Sequence, residues 1–138
     1  MVSAADVQAT ARGMVGTPFR HQGRRPGRGL DCAGVVIETA RALGLAFEDW
    51  RAYSRYPDGR TLERILDRCL ERAPEPTPGG VLLFRFDALP QHVAVATERR
   101  GLIYLVHSYS RIGRVVEHRL DERWQACLVR AYRWEGVA

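Results

Sequence analysis

Apolar residues change their spacing once along this chain, at the prolines Pro74, Pro76 and Pro78. Before them the pattern is helical; after them come short apolar runs of strand length. Helices first and a meander of strands second argue an α+β fold with a mostly antiparallel sheet. Ser3 is placed to cap a helix running to about Val15, with Asp6 at the capping-box position, and Gly16-Thr17-Pro18 ends it. Residues 19–30 are a Gly-, Arg- and Pro-rich loop. From Asp31 to Leu43 the positions Cys32, Val35, Val36, Thr39 and Leu43 keep helical spacing, and Gly44 is a natural stop. Residues 45–60, with Trp50, Tyr53, Tyr56, Pro57, Asp58 and Gly59, read as an irregular, turn-rich connection. Leu62, Ile65, Leu66, Cys69 and Leu70 mark a third helix. The runs Val81–Phe86, Gln91–Thr97, Leu102–His107, Val115–Leu120 and Leu128–Trp134 predict about five strands. A hairpin turn falls at Glu98–Gly101, and a short helical turn between Asp121 and Ala126.

The chain has 138 residues, a length expected for one domain spanning 1–138, and it shows no linker or repeat. No apolar run approaches the roughly 20 residues of a membrane span. The N-terminus lacks the basic start and apolar stretch of a signal peptide, so synthesis in the cytoplasm without a leader is expected. All 21 basic residues are Arg and the net charge is +5. That balance fits either a GC-rich coding sequence or a surface suited to an anionic polymer. The arginines are spread out, with one cluster at Arg20, Arg24, Arg25 and Arg28. No aromatic-interleaved basic motif is present, so a nucleic-acid partner is not expected.

Three cysteines at long spacing do not make a disulfide framework or a zinc site, and no metal or other cofactor is expected. Cys69 and Cys127 sit in apolar patterns and read as packing residues. Cys32 differs: it opens a helix after a flexible-looking loop, where free N–H groups and the helix dipole favour a thiolate. A cysteine nucleophile needs a base, and the base an orienting partner. His92 begins an alternating strand, with Ala94 and Ala96 on its face and Val93, Val95 and Thr97 on the other. His107 ends the next strand. Pairing across the turn brings the two imidazoles toward one end of neighbouring strands. His118, between Glu117 and Arg119, reads as a solvated residue, and His21 can line a cleft ahead of Cys32.

The segments Thr17-Pro18-Phe19-Arg20-His21-Gln22-Gly23 and Asp31-Cys32-Ala33-Gly34-Val35-Val36 resemble the opening signature of the NlpC family of cell-wall cysteine peptidases. Gly80-Val81-Leu82-Leu83-Phe84 followed by His92-Val93-Ala94-Val95 resembles its second block, and Leu102 to Tyr109 its third. The likeness covers nearly the whole chain. The resemblance implies a papain-like fold and hydrolysis of peptidoglycan stem peptides at a γ-D-glutamyl–diaminopimelate bond. It implies Cys32 as nucleophile, His92 as base and then acid, and His107 as the residue orienting His92. Phe19, His21, Asp31 and Ala33 fall at its substrate-binding positions. Relatives usually carry Tyr at Phe19, Ser at Ala33 and Asp at Gly80. The His21-Gln22-Gly23-Arg24 loop, Gly113–Asp121 and Ala131–Trp134 resemble the branch encoded with phage tails and gene transfer agents. That likeness implies tail or baseplate proteins as partners and action on the periplasmic wall from a phage-like particle. Two alternatives stay open: an inactive tail-hub or baseplate component, and an amidase or acyltransferase using the same thiol.

Overall fold

The computed structural model describes residues 1–56 and 58–138; Pro57, expected in the turn-rich connection, lies outside the described residues. The helices are α1 (Ala4–Arg12), α2 (Cys32–Leu43), α3 (Thr61–Cys69) and the short α4 (Glu122–Gln125). A two-residue hairpin, β1 (Arg24–Arg25) and β2 (Gly29–Leu30), lies between α1 and α2. The remaining strands are β3 (Glu71–Ala73), β4 (Val81–Phe86), β5 (Leu89–Arg99), β6 (Leu102–Tyr109), β7 (Arg114–Arg119) and β8 (Leu128–Arg133). They form one antiparallel sheet of order β3-β8-β4-β5-β6-β7. The sheet thus has six strands where about five were expected. The added strand, β3, has three residues that follow α3 directly, too short to show any alternation.

Local chemistry sets most boundaries. Ser3 accepts from the Asp6 N–H at 3.1 Å while Asp6 accepts from the Ser3 N–H at 2.9 Å, the reciprocal box that starts α1. The helix stops at Arg12, earlier than the expected Val15, and tighter turns continue to Gly16. Asp31 caps α2, and Gly44 ends it with φ 68°, a left-handed conformation that favours glycine. Arg100 and Gly101, both with positive φ, make the two-residue turn between β5 and β6.

Two apolar layers enclose the sheet. Val7, Val35, Val36 and Leu66 from the helices pack with Val93, Val95 and Val106 on one face. Leu82, Phe84, Ala94, Ala96 and Leu105 form the other, covered by Trp124 of α4. The alternation expected along β5 is therefore the one observed. No helix among the described residues is long and apolar enough to cross a membrane.

Gly34 fixes how α2 meets the preceding loop. A Cβ there would lie 2.2 Å from the Gly23 carbonyl oxygen. Glycine within a helix costs up to about 1 kcal/mol in propensity, and close backbone approach is what offsets it. Gly34→Ala should therefore lower stability by roughly 1–3 kcal/mol despite the better helix former, as read from the urea midpoint.

Candidate active site

The loop before α2 is held to the helix by one buried ion pair. Asp31 Oδ1 accepts from the Gly34 N–H at 2.8 Å and from Arg24 Nη1 at 2.9 Å. Its Oδ2 accepts from the Gln22 N–H at 2.8 Å and from the Tyr53 hydroxyl. Those four donors fill the carboxylate's acceptor sites. Arg24 is equally saturated. Its five N–H groups reach Asp31, Asp49, Tyr53 Oη and the carbonyls of Gly23 and Trp50, at 2.9–3.0 Å. Gln22 completes the tie through Nε2, which donates to the Arg51 and Tyr53 carbonyls. Burial first, and then the charge of Asp31, push the Tyr53 phenol up, so its hydroxyl stays protonated and donates.

This clamp sets the walls of a groove of about 370 Å³. Cys32 and Ala33 open α2 at one side; Trp50, Tyr53 and Tyr56 of the irregular connection, and Pro90 and Gln91 of β5, line the others. Of the expected substrate-binding positions, Asp31 and Ala33 reach the groove, but Asp31 does so with both oxygens engaged. Phe19 and His21 are not among its lining residues. Phe19 bridges Leu30 and donates its N–H to the Gly113 carbonyl at 2.8 Å. His21 packs edge-on against Tyr53, ring centres 5.4 Å apart. The aromatic wall was not singled out in the sequence, where its only signal was three aromatics within one turn-rich stretch.

His92 and His107 come together as the hairpin required. His92 Nε2 lies 2.7 Å from His107 Nδ1. Both rings are buried, at 4% and 0% exposure. Phe86 stacks on His92 at 4.9 Å, and Trp124 stands 4.9 Å from the His107 ring. Burial pushes the His92 imidazole down to about 3, and the charge that His118 can carry adds to the effect. Burial, then His92 and His118, push His107 down to about 2. Both rings are therefore neutral near pH 7. His118, read from sequence as a solvated residue, instead lies against His107, Nε2 to Nε2 at 2.7 Å.

Cys32 does not behave as its helix-terminal position suggested. Burial, then the neighbouring Asp31 charge, push its thiol up to about 12; the backbone N–H groups of Val93 and Ala33 only partly offset this. The helix dipole loses to desolvation and to a like charge one residue away. No hydrogen bond joins the thiol to an imidazole among the described residues. The β5–β6 ladder ends at Val95–Val106, and the Val93 N–H, one residue after His92, is among the groups that favour the thiolate. Cys32 comes from the face of Val93, whereas alternation gives His92 the face of Ala94.

No protein-family model matches the chain, and no curated protein matches it in sequence. Solved structures do match in shape. One, described as similar to lipoprotein of the NLP/P60 family from Staphylococcus aureus subsp. aureus Mu50, superposes with a TM-score of 0.67 at 17% identity. It covers 95% of this chain, and this chain spans 41% of its length. The NlpC/p60 domain of peptidoglycan hydrolase SagA superposes with a TM-score of 0.66 at 20% identity, covering 95% of this chain and 98% of its own. This chain has the NlpC/p60 fold. The papain-like arrangement expected from the sequence, with helices packed on an antiparallel sheet, is the one observed.

Two outcomes follow from the buried groups. Arg24→Ala should cost about 3–5 kcal/mol in chemical denaturation, because it leaves the Asp31 carboxylate buried without its counter-charge. Arg24→Lys, with three donors on a point charge, should recover only part of that loss. The histidines set an acid limit. Their folded values lie below the ordinary 6.5, so the stability they contribute is complete above pH 6.5 and is lost as pH falls toward 3. Denaturant midpoints between pH 7 and 4 should fall steeply for the wild type and less steeply for the His92→Asn/His107→Asn double variant.

Proposed function

We propose that this chain is a cysteine peptidase of the bacterial cell wall. In this reading it cleaves peptidoglycan stem peptides at a γ-D-glutamyl–diaminopimelate bond and acts on the periplasmic wall from a phage-like tail or gene transfer agent. The observation that carries the peptidase reading is a thiol at a helix N-terminus, on an open groove, with its helix packed against the strand that carries His92 of the buried His92–His107 pair. The NlpC/p60 fold supports it, since one neighbour of that fold is described as a peptidoglycan hydrolase. The tail setting rests on the sequence likeness of the Gln22 loop and of the segments at 113–121 and 131–134.

The chemistry runs as acyl transfer. The Cys32 sulfur attacks the peptide carbonyl carbon while His92 takes the thiol proton through Nδ1, the nitrogen that His107 leaves free. The thiol is pushed up and the imidazole down, so the resting pair is neutral and proton transfer accompanies attack. The Cys32 N–H, first in α2 and without an intrahelical acceptor, donates to the developing oxyanion. His92 returns the proton to the leaving amine, and the carbon–nitrogen bond breaks. The acyl group remains on sulfur as a thioester. Water then loses a proton to His92 and attacks the thioester, and the carboxylic acid and the free thiol are released.

The raised thiol value and the missing sulfur–imidazole hydrogen bond favour a second reading, a tail-hub component that keeps the fold without turnover. Digestion of purified sacculi separates the two. The wild type should release muropeptides with a new amine terminus on the diamino acid, while Cys32→Ala and His92→Ala release essentially none. Equal release by wild type and Cys32→Ala would sink the peptidase reading. Iodoacetamide labelling at pH 7 should be slower at Cys32 than at free cysteine, reflecting a neutral thiol.

A further inference from the structure

His118 belongs to no part of the proposed Cys32–His92–His107 set, yet it extends that set by one ring. Register places it opposite Leu105 on β6, two residues before His107, so its ring reaches diagonally to His107. The resulting chain is continuous. His92 Nε2 faces His107 Nδ1 at 2.7 Å, and His107 Nε2 faces His118 Nε2 at 2.7 Å. His118 Nδ1 faces the Arg119 carbonyl oxygen at 2.9 Å. Trp124 packs beside all three rings, with centres 4.9–5.9 Å away.

The last contact orders all the others. A carbonyl oxygen can only accept, so His118 Nδ1 carries a proton. A neutral His118 then has a bare Nε2, which accepts from His107 Nε2–H. His107 is left with a bare Nδ1, which accepts from His92 Nε2–H. His92 is left with a bare Nδ1, the nitrogen not held by His107. Every proton along the chain is fixed by one backbone oxygen. If the His118 ring were replaced by a group unable to accept, His107 could place its proton on Nδ1 instead. It would then no longer accept from His92, and the His92 tautomer would be released.

We propose that His118 is a positioning residue: with the Arg119 carbonyl it orders the protons of His107 and His92 so that His92 presents a bare Nδ1 to the Cys32 side. Its consequence for rate rests on the cysteine peptidase reading; its consequence for the ring tautomers does not.

Long-range proton–nitrogen correlation spectra of the 15N-labelled chain at pH 8 test it directly, since they distinguish bare from protonated ring nitrogens. The expected pattern is bare Nδ1 on His92 and His107 and bare Nε2 on His118. His118→Phe should move the His92 and His107 protons off this pattern, while His118→Gln, whose amide oxygen can accept, should keep it. On sacculi, His118→Phe should lower kcat about tenfold or more with KM unchanged, and His118→Gln should recover most of the loss. A bare Nε2 on His107 in the wild type overturns the proposal, as does an unchanged His92 and His107 pattern in His118→Phe. If the Phe variant does not fold, the wild-type spectrum and the Gln variant decide. The expected spectra in a chain that digests no sacculi would uphold the proton order and reject the peptidase reading instead.

Discussion

The Arg24 guanidinium has five N–H groups, and this structure uses every one of them. Three sequence-distant pieces meet there: the loop ahead of α2, the first turn of α2 through Asp31, and the irregular connection through Asp49, Trp50 and Tyr53. A hydrophobic contact could hold these pieces together but could not set their angles, because apolar attraction is non-directional. A planar fork of donors can. The width of the groove therefore follows from one side chain that never touches it. Asp31, read from family likeness as a substrate contact, is spent on the same task, and an incoming amine would have to displace one of its four donors.

Saturation has an electrical consequence at the next residue. Burial of the sulfur works against a thiolate, and the Asp31 carboxylate beside it adds to the effect. On the other side of the gap, an aromatic box of Phe86, Tyr109 and Trp124 keeps His92 and His107 neutral. Both partners are pushed away from the ionised state. A preformed thiolate–imidazolium pair would need the opposite shifts. In the proposed reading, the thiol and imidazole are instead an acid and a base held neutral at rest, and a proton passes between them only as a carbonyl carbon accepts the sulfur. That arrangement guards an exposed groove against stray alkylation and oxidation, since the thiolate is the reactive form.

Much of this was legible in the sequence because it is written in local patterns. The Ser3 box, the Gly44 stop and the alternation along β5 each involve neighbours within four residues. The hairpin logic that placed His92 beside His107 needs only a two-residue turn. What stayed hidden depends on contacts far apart along the chain. Gln22 and Arg24 lie in a loop with no periodicity, and their partners in the irregular connection are 25 to 31 residues away. β3 is three residues long. His118 was misread because Glu117 and Arg119 flank it, yet strand alternation turns those two away from its own face. Glu117 is taken up by Arg12, Thr97 and Arg99, which leaves the histidine free to face inward. The thiol's upward shift was missed for a related reason: a helix start announces itself in sequence, whereas desolvation does not.

The β5–β6 ladder stops at Val95–Val106, short of both His92 and His107. Had the ladder continued past Val95–Val106, the Val93 N–H would be committed to β6 and no gap would separate the two faces of the sheet. Because it stops, side chains take over the pairing that the backbone abandons, and the His92–His107 contact bridges the opened strands where carbonyls and amides no longer do. In the proposed peptidase reading, a cysteine on one face and an imidazole on the other would act together on one substrate carbonyl. The usual objection to a buried polar pair is that it destabilises a core unless every atom is satisfied. Here the pair is satisfied outward, ring to ring, until a backbone carbonyl ends the chain, and the one nitrogen left unbonded is the one that the proposed peptidase chemistry would use.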